Sequence, residues 1–570
     1  MKKQSFLKSS AILLSMVVIT KILGLMFKIP LTHILGGTGM GYFSAAFSVF
    51  TPVFAIVVSG IPSSMARLAA ENYALGRFSN LRRQKIAAHI TFGLMSLAAC
   101  GFIILLSGPL SEYIIKESSA KYALVCVAPS VVFCTAMSVE RGYYEGLRNM
   151  LPTALSEIAE TIFKLILGLG FAVFTADRAK MSYSVCGEVF GIACSSAEEA
   201  GDAALPFIAA AAILGSSLAS GLACLALMIG TKIKGDGVTK AMLNSDKVMD
   251  SYAHHRRILL KCAMPIAFAA VITTMTGMID MLTINPCIRY AMSRDAAPFG
   301  KFLDFGISAE ELPNFLYGSY EGLASLVYGL VPTLTAMFGK SALPSLADSW
   351  ARGDRQTFSA GLRNMMTVSS VIAIPSGLGI CALSEPLLRF LFDGRNAEIC
   401  AAVQPLRILG ISAVFLSISL PCFTVLQTLG DPKKIIAVMI GGGAVKLILN
   451  ILLVSQPQLG LAGAAYAELA SCAFVCILSV IFIYRMGNVR CHVTETYIKP
   501  LYAGVMCMLS AGLSENFLSS SGLFNLNHRI VTLVSVAIGG SLYFISLYLL
   551  CETPKKLILS CFAKKNPKTT

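Results

Sequence analysis

About fourteen long apolar runs follow one another along this chain, and each is close to the roughly 20 residues that an α-helix needs to cross a bilayer. The runs are continuous and do not alternate with period two, which excludes a transmembrane β-barrel. The sequence therefore predicts an all-α polytopic membrane protein of about fourteen transmembrane helices. The predicted spans are residues 10–30, 40–61, 87–107, 122–140, 153–176, 205–230, 259–284, 318–338, 365–384, 401–423, 435–454, 461–484, 497–515 and 529–551.

Composition excludes a soluble domain with a single membrane anchor. Charged residues make up 14% of the chain and hydrophobic residues 55%, whereas soluble domains carry about 25% charged residues. The first run follows Met1-Lys2-Lys3 and is predicted to be a retained helix. It has no small-residue cleavage site and carries Lys21 and Lys28 within it, unlike a signal peptide.

The formal charge of +15 indicates how the chain is oriented. Basic clusters such as Arg82-Arg83, His254–Arg257 and Lys555-Lys556 fall in alternate loops, and the positive-inside rule places those loops in the cytoplasm. Both termini are then cytoplasmic and the protein is a multi-pass protein of a cell membrane. Because the charge is spread over many loops, no nucleic-acid partner is needed to explain it.

The chain contains an internal repeat. Phe163–Leu167 recurs as Val445–Leu449, and Ile61–Ser63 recurs as Leu343–Ser345, both at one offset (446 − 164 = 344 − 62 = 282). Duplicated transporters place their substrate site between the repeats, and an even number of spans in each makes the repeats parallel. We predict two parallel six-helix lobes around a central cleft, so that a monomer suffices. The predicted divisions are an N-lobe at 1–230, a cytoplasmic linker at 231–258, a C-lobe at 259–484, two extra helices at 497–551 and a basic tail at 552–570.

Residues typical of catalysis, cofactors or metals are not grouped in the sequence. The phosphate-loop, HExxH and GxSxG motifs are absent, and the six histidines are scattered. Most of the cysteines lie in apolar spans, where a thiol behaves as a small hydrophobic group. Cys186 and Cys194 share an outer loop, and the sequence leaves open whether they pair. We expect no catalytic residue, no cofactor and no metal site.

Lys21 and Lys28 are the candidate substrate-binding residues. They lie seven residues apart, about two helical turns, and therefore share one face of the first helix. Gly24 lies between them and would permit close approach of a neighbouring helix. Two stacked cations on one internal face suit a phosphate or pyrophosphate. The alternative is that Lys28 anchors the outer interface.

Other charges inside predicted spans allow more than one interpretation. Lys164 and Lys446 are equivalent in the repeat and would both add to a positive cleft, or Glu160 pairs with Lys164 within one lobe. Asp280 would bind a coupling Na⁺ or proton, or pair with a cleft lysine. Asn450 offers a further oxygen ligand. The spacing does not decide between these.

Several segments resemble the multidrug/oligosaccharidyl-lipid/polysaccharide exporter superfamily. Residues 141–154, RGYYEGLRNMLPTA, resemble the RGYxQGxxxMxPTA signature of its polysaccharide-export branch, which makes Arg141 a further candidate cleft charge. The other matching segments are GIPSSMARLAAE at 60–71, KILGLMFK at 21–28, ALPSLA at 342–347 and LQTLG at 426–430. Within the branch, the chain is most similar to the stage V sporulation protein B group, relatives of the MurJ-type lipid II flippases.

The resemblance implies a flippase that moves an undecaprenyl-pyrophosphate-linked cell-wall precursor from the inner to the outer leaflet of a bacterial membrane. First-helix cations hold the pyrophosphate in such proteins, and Lys21 and Lys28 are the matching positions. This chain has lysine where the family usually has arginine, which keeps the charge but loses the bidentate grip. The expected partners are the lipid substrate, the bilayer and cell-wall synthesis proteins. The membrane potential, Na⁺ or H⁺ would drive transport.

Three other functions stay open at this point. A drug or cation antiporter of the same superfamily would favour an aromatic and acidic pocket over internal lysines. An exporter of another lipid-linked polysaccharide unit would share the lysines. A scaffold for wall synthesis would need no transport at all.

Overall fold

The computed structural model describes residues 6–115, 117–236, 238–239, 242–243, 250–428, 432–487, 492–520 and 528–550. Almost all of these residues are helical. The predicted basic tail, 552–570, and the last two residues of the LQTLG segment lie outside the described residues. In the first half, the helices whose bounds the described residues give are α1 Phe6–Val58, α2 Ile61–Ala74, α3 Phe78–Pro109, α4 Ala120–Gly146, α5 Leu151–Phe163, α6 Leu169–Cys186, α7 Ala197–Lys234 and α8 Tyr252–Arg294.

A break at Gly36 divides α1 into two membrane-crossing halves. Gly36 has φ 61° and ψ −168°, a backbone conformation that glycine adopts readily because it has no Cβ. An unbroken helix of 53 residues would be about 80 Å long, far more than the roughly 30 Å of a bilayer core. The break therefore turns one helical segment into the first two predicted spans.

Helices α5 and α6 form one continuous helical rod with a π-helical turn between them. The turn, Lys164–Gly168, joins α5 to α6 without interruption. π-helical turns are rare and are frequent at functional sites. This one begins at a residue that the sequence had already singled out.

The outer loop predicted between the fifth and sixth spans is mostly regular structure. After α6 the chain forms a short antiparallel hairpin, β1 Glu188–Val189 and β2 Ile192–Ala193. Ser196 then caps α7 by accepting a hydrogen bond from the backbone N–H of Glu199, and the Glu199 carboxylate accepts one from the backbone N–H of Ser195. The Ser-x-x-Glu spacing is that of a capping box, but the Glu199 carboxylate accepts from the residue before the N-cap. We call this region the hairpin end of the first half.

The second half is also helical along its described length. A turn of 3₁₀-helix, Ala297–Phe299, follows α8, and π-helical turns occupy Tyr320–Ala324 and Thr494–Ile498. The remaining helices are α9 Gly300–Leu303, α10 Leu312–Ser319, α11 Ser325–Tyr328, α12 Leu330–Ala351, α13 Arg355–Ala382, α14 Ser384–Leu391, α15 Asn396–Thr428, α16 Pro432–Val454, α17 Leu461–Gly487, α18 Lys499–Ser520 and α19 His528–Leu550.

The all-α polytopic prediction is confirmed. Within the described residues, 11 helices are long and apolar enough to cross a membrane, or 12 if the pair Leu312–Tyr328 and Leu330–Gly339, bent by 41°, forms one span. The bent pair corresponds to the predicted span 318–338, and the remaining difference between twelve and fourteen has two sources. The broken helix α1 counts once although Gly36 divides it, and α18, which covers the predicted span 497–515, is not among the eleven.

The chain divides into two compact units. The first contains Met1–Pro286 and Ile307–Gly318, and the second contains Cys287–Gly306 and Ser319–Thr570. These units are defined by packing and the predicted lobes by sequence, so the lobe boundaries stay a prediction. Each unit has its own buried apolar clusters, one around Phe92 and Tyr143 in the first unit and one around Phe358 and Leu426 in the second.

Candidate functional site

The candidate lysines of the first helix lie in the half of α1 that precedes Gly36. Lys21 is exposed and Lys28 is partly buried. A Cβ built on Gly24 would meet no heavy atom within 4 Å. The close helix approach expected at Gly24 is therefore wrong for this conformation, and the space beside Gly24 is open.

The neighbouring helix instead approaches α1 closely at Phe27, three residues after Gly24. A Cβ on Gly168 would lie 2.6 Å from the Phe27 ring, so only glycine lets the ring pack this closely. Gly168 is the last residue of the π-helical turn that begins at Lys164. The first helix is thus fixed against the rod formed by α5 and α6 at a point one turn from Lys164.

The two helices run in the same direction at this contact. A Cβ on Gly39 would lie 3.4 Å from Leu205, which is in the early turns of α7 beyond the hairpin. From Phe27 to Gly39 the chain therefore runs toward the hairpin end, as it does from Gly168 to Cys186. Lysines on the two helices can accordingly be ordered by their distance from the Phe27–Gly168 contact.

The resulting order of heights is Lys21, then Lys164, then Lys28. With the α-helical rise of 1.5 Å per residue, Lys21 lies about 9 Å before the contact and Lys28 about 1.5 Å beyond it. Lys164 is four residues before the contact within the π-helical turn, whose rise per residue is smaller, so it lies less than about 6 Å before it. The structure therefore places Lys164 on the neighbouring helix at a height between the two candidate substrate-binding lysines.

Lys164 belongs to a network of four charged side chains. Glu160 is at its centre: Arg141 Nη2 lies 3.1 Å from Glu160 Oε2, Lys164 Nζ lies 3.5 Å from Glu160 Oε1, and Ser220 Oγ donates to the same Oε1 at 2.9 Å. Arg141 Nη1 also lies 3.7 Å from Glu157 Oε1. The pairing of Lys164 with Glu160, one of the two interpretations left open, is formed, and the network contains two cations and two carboxylates.

Signature segments of the resemblance meet near the C-terminal end of α4, next to Arg141. A Cβ on Gly142 would lie 2.7 Å from the backbone oxygen of Pro62, so the RGYYEG segment packs its glycine against the GIPSSM segment. Tyr143 Oη donates to Asp236 Oδ2 at 2.8 Å, and Thr153 Oγ1 donates to Glu145 Oε1 at 3.0 Å. Gly142, Tyr143 and Glu145 of this segment thus make packing and hydrogen-bond contacts, whereas Arg141 contacts Glu160.

One buried ionic group was missed in the sequence analysis. Glu140 lies 2.8 Å from Lys85 Nζ and 3.0 Å from His89 Nε2, and Lys85 Nζ lies 4.6 Å from the centre of the Tyr143 ring. Lys85 and His89 are four residues apart and share a helical face. Glu140 is the last residue of a predicted span, a position that should have drawn attention to it.

In the second unit, Lys446 is buried and paired with a carboxylate. Its Nζ lies 2.6 Å from Glu468 Oε2, and Tyr328 Oη donates to Glu468 Oε1 at 2.9 Å. Asn450, one turn further along α16, is fully buried. Asp280 is buried in the first unit, so a coupling-ion site formed jointly by Asp280 and Asn450 stays a prediction.

Among the residues that the structure describes, no group of three or more His, Cys, Asp or Glu side chains could hold a metal ion. Cys186 and Cys194 are both free thiols, so no disulfide joins them here.

Two family models match separate parts of the chain. A family described as "Polysaccharide biosynthesis protein" matches residues 6–197, which include Lys21, Lys28 and the Glu160 network. A family described as "MatE" matches residues 322–452, which include Lys446. Both matches agree with the resemblance of the chain to the multidrug/oligosaccharidyl-lipid/polysaccharide exporter superfamily.

Relatives in this superfamily match over nearly the whole chain. The stage V sporulation protein B of Bacillus subtilis (strain 168) is 21% identical over 539 residues, 91% of each chain. The lipid II flippase MurJ of the same organism is 22% identical over 548 residues, 92% of each chain. The second of these relatives is named a flippase, and the apolar helices of this chain make it a multi-pass membrane protein.

Solved structures of the superfamily have the same fold. A lipid II flippase MurJ in an inward closed conformation superposes with a TM-score of 0.64 and 16% identity, covering 95% of this chain and 98% of the other. An inward-facing multidrug-resistance MATE transporter superposes with a TM-score of 0.58 and 12% identity, covering 85% of this chain and 100% of the other. At these identities the likeness establishes the fold.

Proposed function

We propose that this chain is a flippase for lipid II, an undecaprenyl-pyrophosphate-linked cell-wall precursor, which it moves from the inner to the outer leaflet by alternating access. The observation that carries the proposal is the set of cations on α1 and its neighbour. Lys21 and Lys28 lie on one face of α1 with open space at Gly24 between them, and Lys164 lies at an intermediate height.

The chemistry of a pyrophosphate fits these residues. Its several anionic oxygens can be contacted by more than one ammonium group, and a lysine engages phosphate as a point charge. Three lysines at neighbouring heights on two packed helices suit an anionic ligand with several oxygens. The polysaccharide family match over the same residues supports a lipid-linked sugar as the rest of the substrate.

Transport by this scheme depends on differential affinity. A ligand shifts the equilibrium between two conformations only by as much as its affinity for them differs. The membrane potential favours outward movement of an anion from a negative interior, by about 2.3 kcal/mol per charge per 100 mV. Coupling to Na⁺ or H⁺ through Asp280 or Asn450 is a further part of the proposal. We place the protein in a bacterial plasma membrane with both termini in the cytoplasm, as a monomer beside cell-wall synthesis proteins.

The first test is the exposure of lipid II on the outer face of cells that depend on this chain. Depletion should remove outer-leaflet lipid II and cause it to accumulate inside. A chain carrying both Lys21→Ala and Lys28→Ala should insert normally and fail to restore exposure. Normal complementation by that double variant would rule out the assigned role of the two lysines.

A matched double variant controls for the loss of charge. Lys121→Ala with Lys180→Ala removes two exposed lysines at the hairpin end of the same unit. This end is identified by the Tyr122–Phe207 and Phe190–Phe207 ring contacts, at 4.8 and 5.0 Å. The control should complement fully.

A second candidate is export of another lipid-linked polysaccharide unit, favoured by the description of the family that matches residues 6–197. Depletion that leaves lipid II exposure unchanged but alters a capsule or another surface glycan would favour this candidate. The same lysines would then serve the same pyrophosphate.

A further inference from the structure

The three donors to Glu160 hold it unequally. Arg141 and Ser220 lie 3.1 and 2.9 Å from its oxygens, whereas Lys164 lies at 3.5 Å. The side chain of Lys164 is 36% exposed, while those of Arg141 and Glu160 are each 14% exposed. Of the three donors to Glu160, Lys164 is thus the most weakly held, and its side chain is more exposed than that of Arg141.

Departure of Lys164 would leave the other members satisfied. Glu160 would keep Arg141 and Ser220, and Arg141 Nε would keep its donation to Ser156 Oγ at 2.8 Å. Removing one partner of a buried carboxylate is expensive only when nothing else satisfies it. The network is therefore built so that Lys164 can leave at low cost.

Lys164 is also placed so that its ammonium group, once released from Glu160, can move toward the neighbouring helix α1. It is the first residue of the π-helical turn, it has a flexible four-carbon stem, and it lies one turn from the contact that fixes α1. The open space at Gly24 lies at a similar height on the neighbouring helix.

We propose that Lys164 is the third phosphate-binding cation of the Lys21/Lys28 site and that Glu160 is its resident counter-anion, which an incoming pyrophosphate displaces. Before substrate arrives, Glu160 neutralises Lys164. When the pyrophosphate binds, Lys164 moves to its oxygens and Glu160 stays with Arg141. Glu160 therefore competes with the substrate for one ammonium group. This inference rests on the proposed function, and it assigns two further residues to the same site.

Pyrophosphate binding to the purified full-length chain in detergent tests this directly. By titration calorimetry with inorganic pyrophosphate, Lys164→Ala should weaken binding about tenfold, the effect of losing one charge-assisted contact. Lys164→Arg should retain binding. Glu160→Gln should tighten binding about threefold, because the competitor has lost its charge. A purely structural role for Glu160 would not produce tighter binding.

The control is Lys180→Ala, which removes an exposed lysine further along the same continuous helix and should leave affinity unchanged. Each variant must elute from size exclusion as the wild type does. If Lys164→Ala fails to elute in this way, Glu160→Gln alone decides, and weaker or unchanged binding by Glu160→Gln contradicts the counter-anion role.

The same titrations separate this inference from the proposed function. If Lys21→Ala with Lys28→Ala abolishes binding while Lys164→Ala behaves like Lys180→Ala, the inference fails and the function stands. If the wild type does not bind pyrophosphate, or the double variant binds as well as the wild type, the proposed function fails first. Farnesyl pyrophosphate should compete more strongly than inorganic pyrophosphate; equal competition would contradict a lipid-linked ligand.

Discussion

Lys164 and Lys446 occupy equivalent positions in the internal repeat, but they differ in exposure and in the length of their ion pairs. Lys164 in the first unit is 36% exposed and lies 3.5 Å from Glu160, on its own helix. Lys446 in the second unit is 3% exposed and lies 2.6 Å from Glu468, on the neighbouring helix α17. One ion pair is loose and partly accessible, and the other is tight and buried.

The positions around the two lysines explain the difference. Adding the offset to Arg141 gives Phe423 (141 + 282 = 423), and adding it to Glu160 gives Gly442 (160 + 282 = 442). The second unit therefore lacks both the arginine and the carboxylate at the equivalent positions. Lys446 pairs instead with Glu468. Among the described contacts of Glu468, Lys446 is the cation and Tyr328 is a neutral donor. The surroundings therefore suit the exchangeable role proposed for Lys164 in the first unit and a structural role for Lys446 in the second.

The largest expected effect is at Lys446. Lys446→Met should leave the buried Glu468 carboxylate without its cation, and breaking a buried pair in this way costs about 3–5 kcal/mol. The thermal midpoint of the detergent-solubilised protein, followed by size-exclusion chromatography after heating, should fall sharply. Adding Glu468→Gln to Lys446→Met should recover most of the loss.

Lys434→Met is the matched control for this change. Lys434 lies on the same helix, with its Nζ 6.0 Å from the centre of the Phe482 ring, and such exposed contacts contribute about 0.5–1 kcal/mol. If Lys446→Met were as mild as Lys434→Met, the contrast between a structural and an exchangeable lysine would be lost.

The next largest effects are expected in the first unit, at Lys164 and Arg141. Lys164→Met should lower stability by less than about 1 kcal/mol, because Arg141 and Ser220 still satisfy Glu160 and the pair is partly solvated. Arg141→Met should cost more, since Ser156, Glu157 and Glu160 all lose a donor. The same heating assay checks both. Equal losses for Lys164→Met and Lys446→Met would contradict the proposed freedom of Lys164.

The fold was largely predictable because membrane insertion imposes a simple rule on the sequence. A helix that crosses a bilayer needs a long apolar run, so the spans could be located before any packing was known. The repeat also located Lys164 and Lys446 as equivalent positions. The break at Gly36 and the π-helical turn at Lys164 were not predicted, since both depend on how neighbouring helices pack rather than on local apolarity.

The candidate site was only partly predictable for a related reason. Hydropathy singles out a charge inside a span but does not identify its partner. The i,i+4 pairing of Glu160 with Lys164 could be read from spacing, whereas Arg141, Ser220 and Glu468 reach their partners from other helices. The same limit explains the wrong expectation at Gly24, because the glycine that a neighbour approaches proved to be Gly168.

The smallest effect concerns a carboxylate that faces other carboxylates instead of a cation. Glu311, just before α10, is half-buried; burial and then the negative charges of Asp202, Glu117 and Glu310 raise the pKa of its side chain. A folded-state pKa above the unfolded value means that the folded chain binds the proton more tightly. The wild type should therefore gain stability as the pH falls through the raised pKa of Glu311 toward its ordinary value of 4.5.

Glu311→Gln should be slightly more stable than the wild type at neutral pH, by less than about 1 kcal/mol given its exposure, and equal to it below pH 4.5. Glu188→Gln, in the exposed hairpin of the same unit, is the control and should stay within about 0.5 kcal/mol at every pH. A Glu311→Gln variant that is less stable at neutral pH would show that its carboxylate is held by a favourable partner, as Glu160 and Glu468 are, and would remove the contrast.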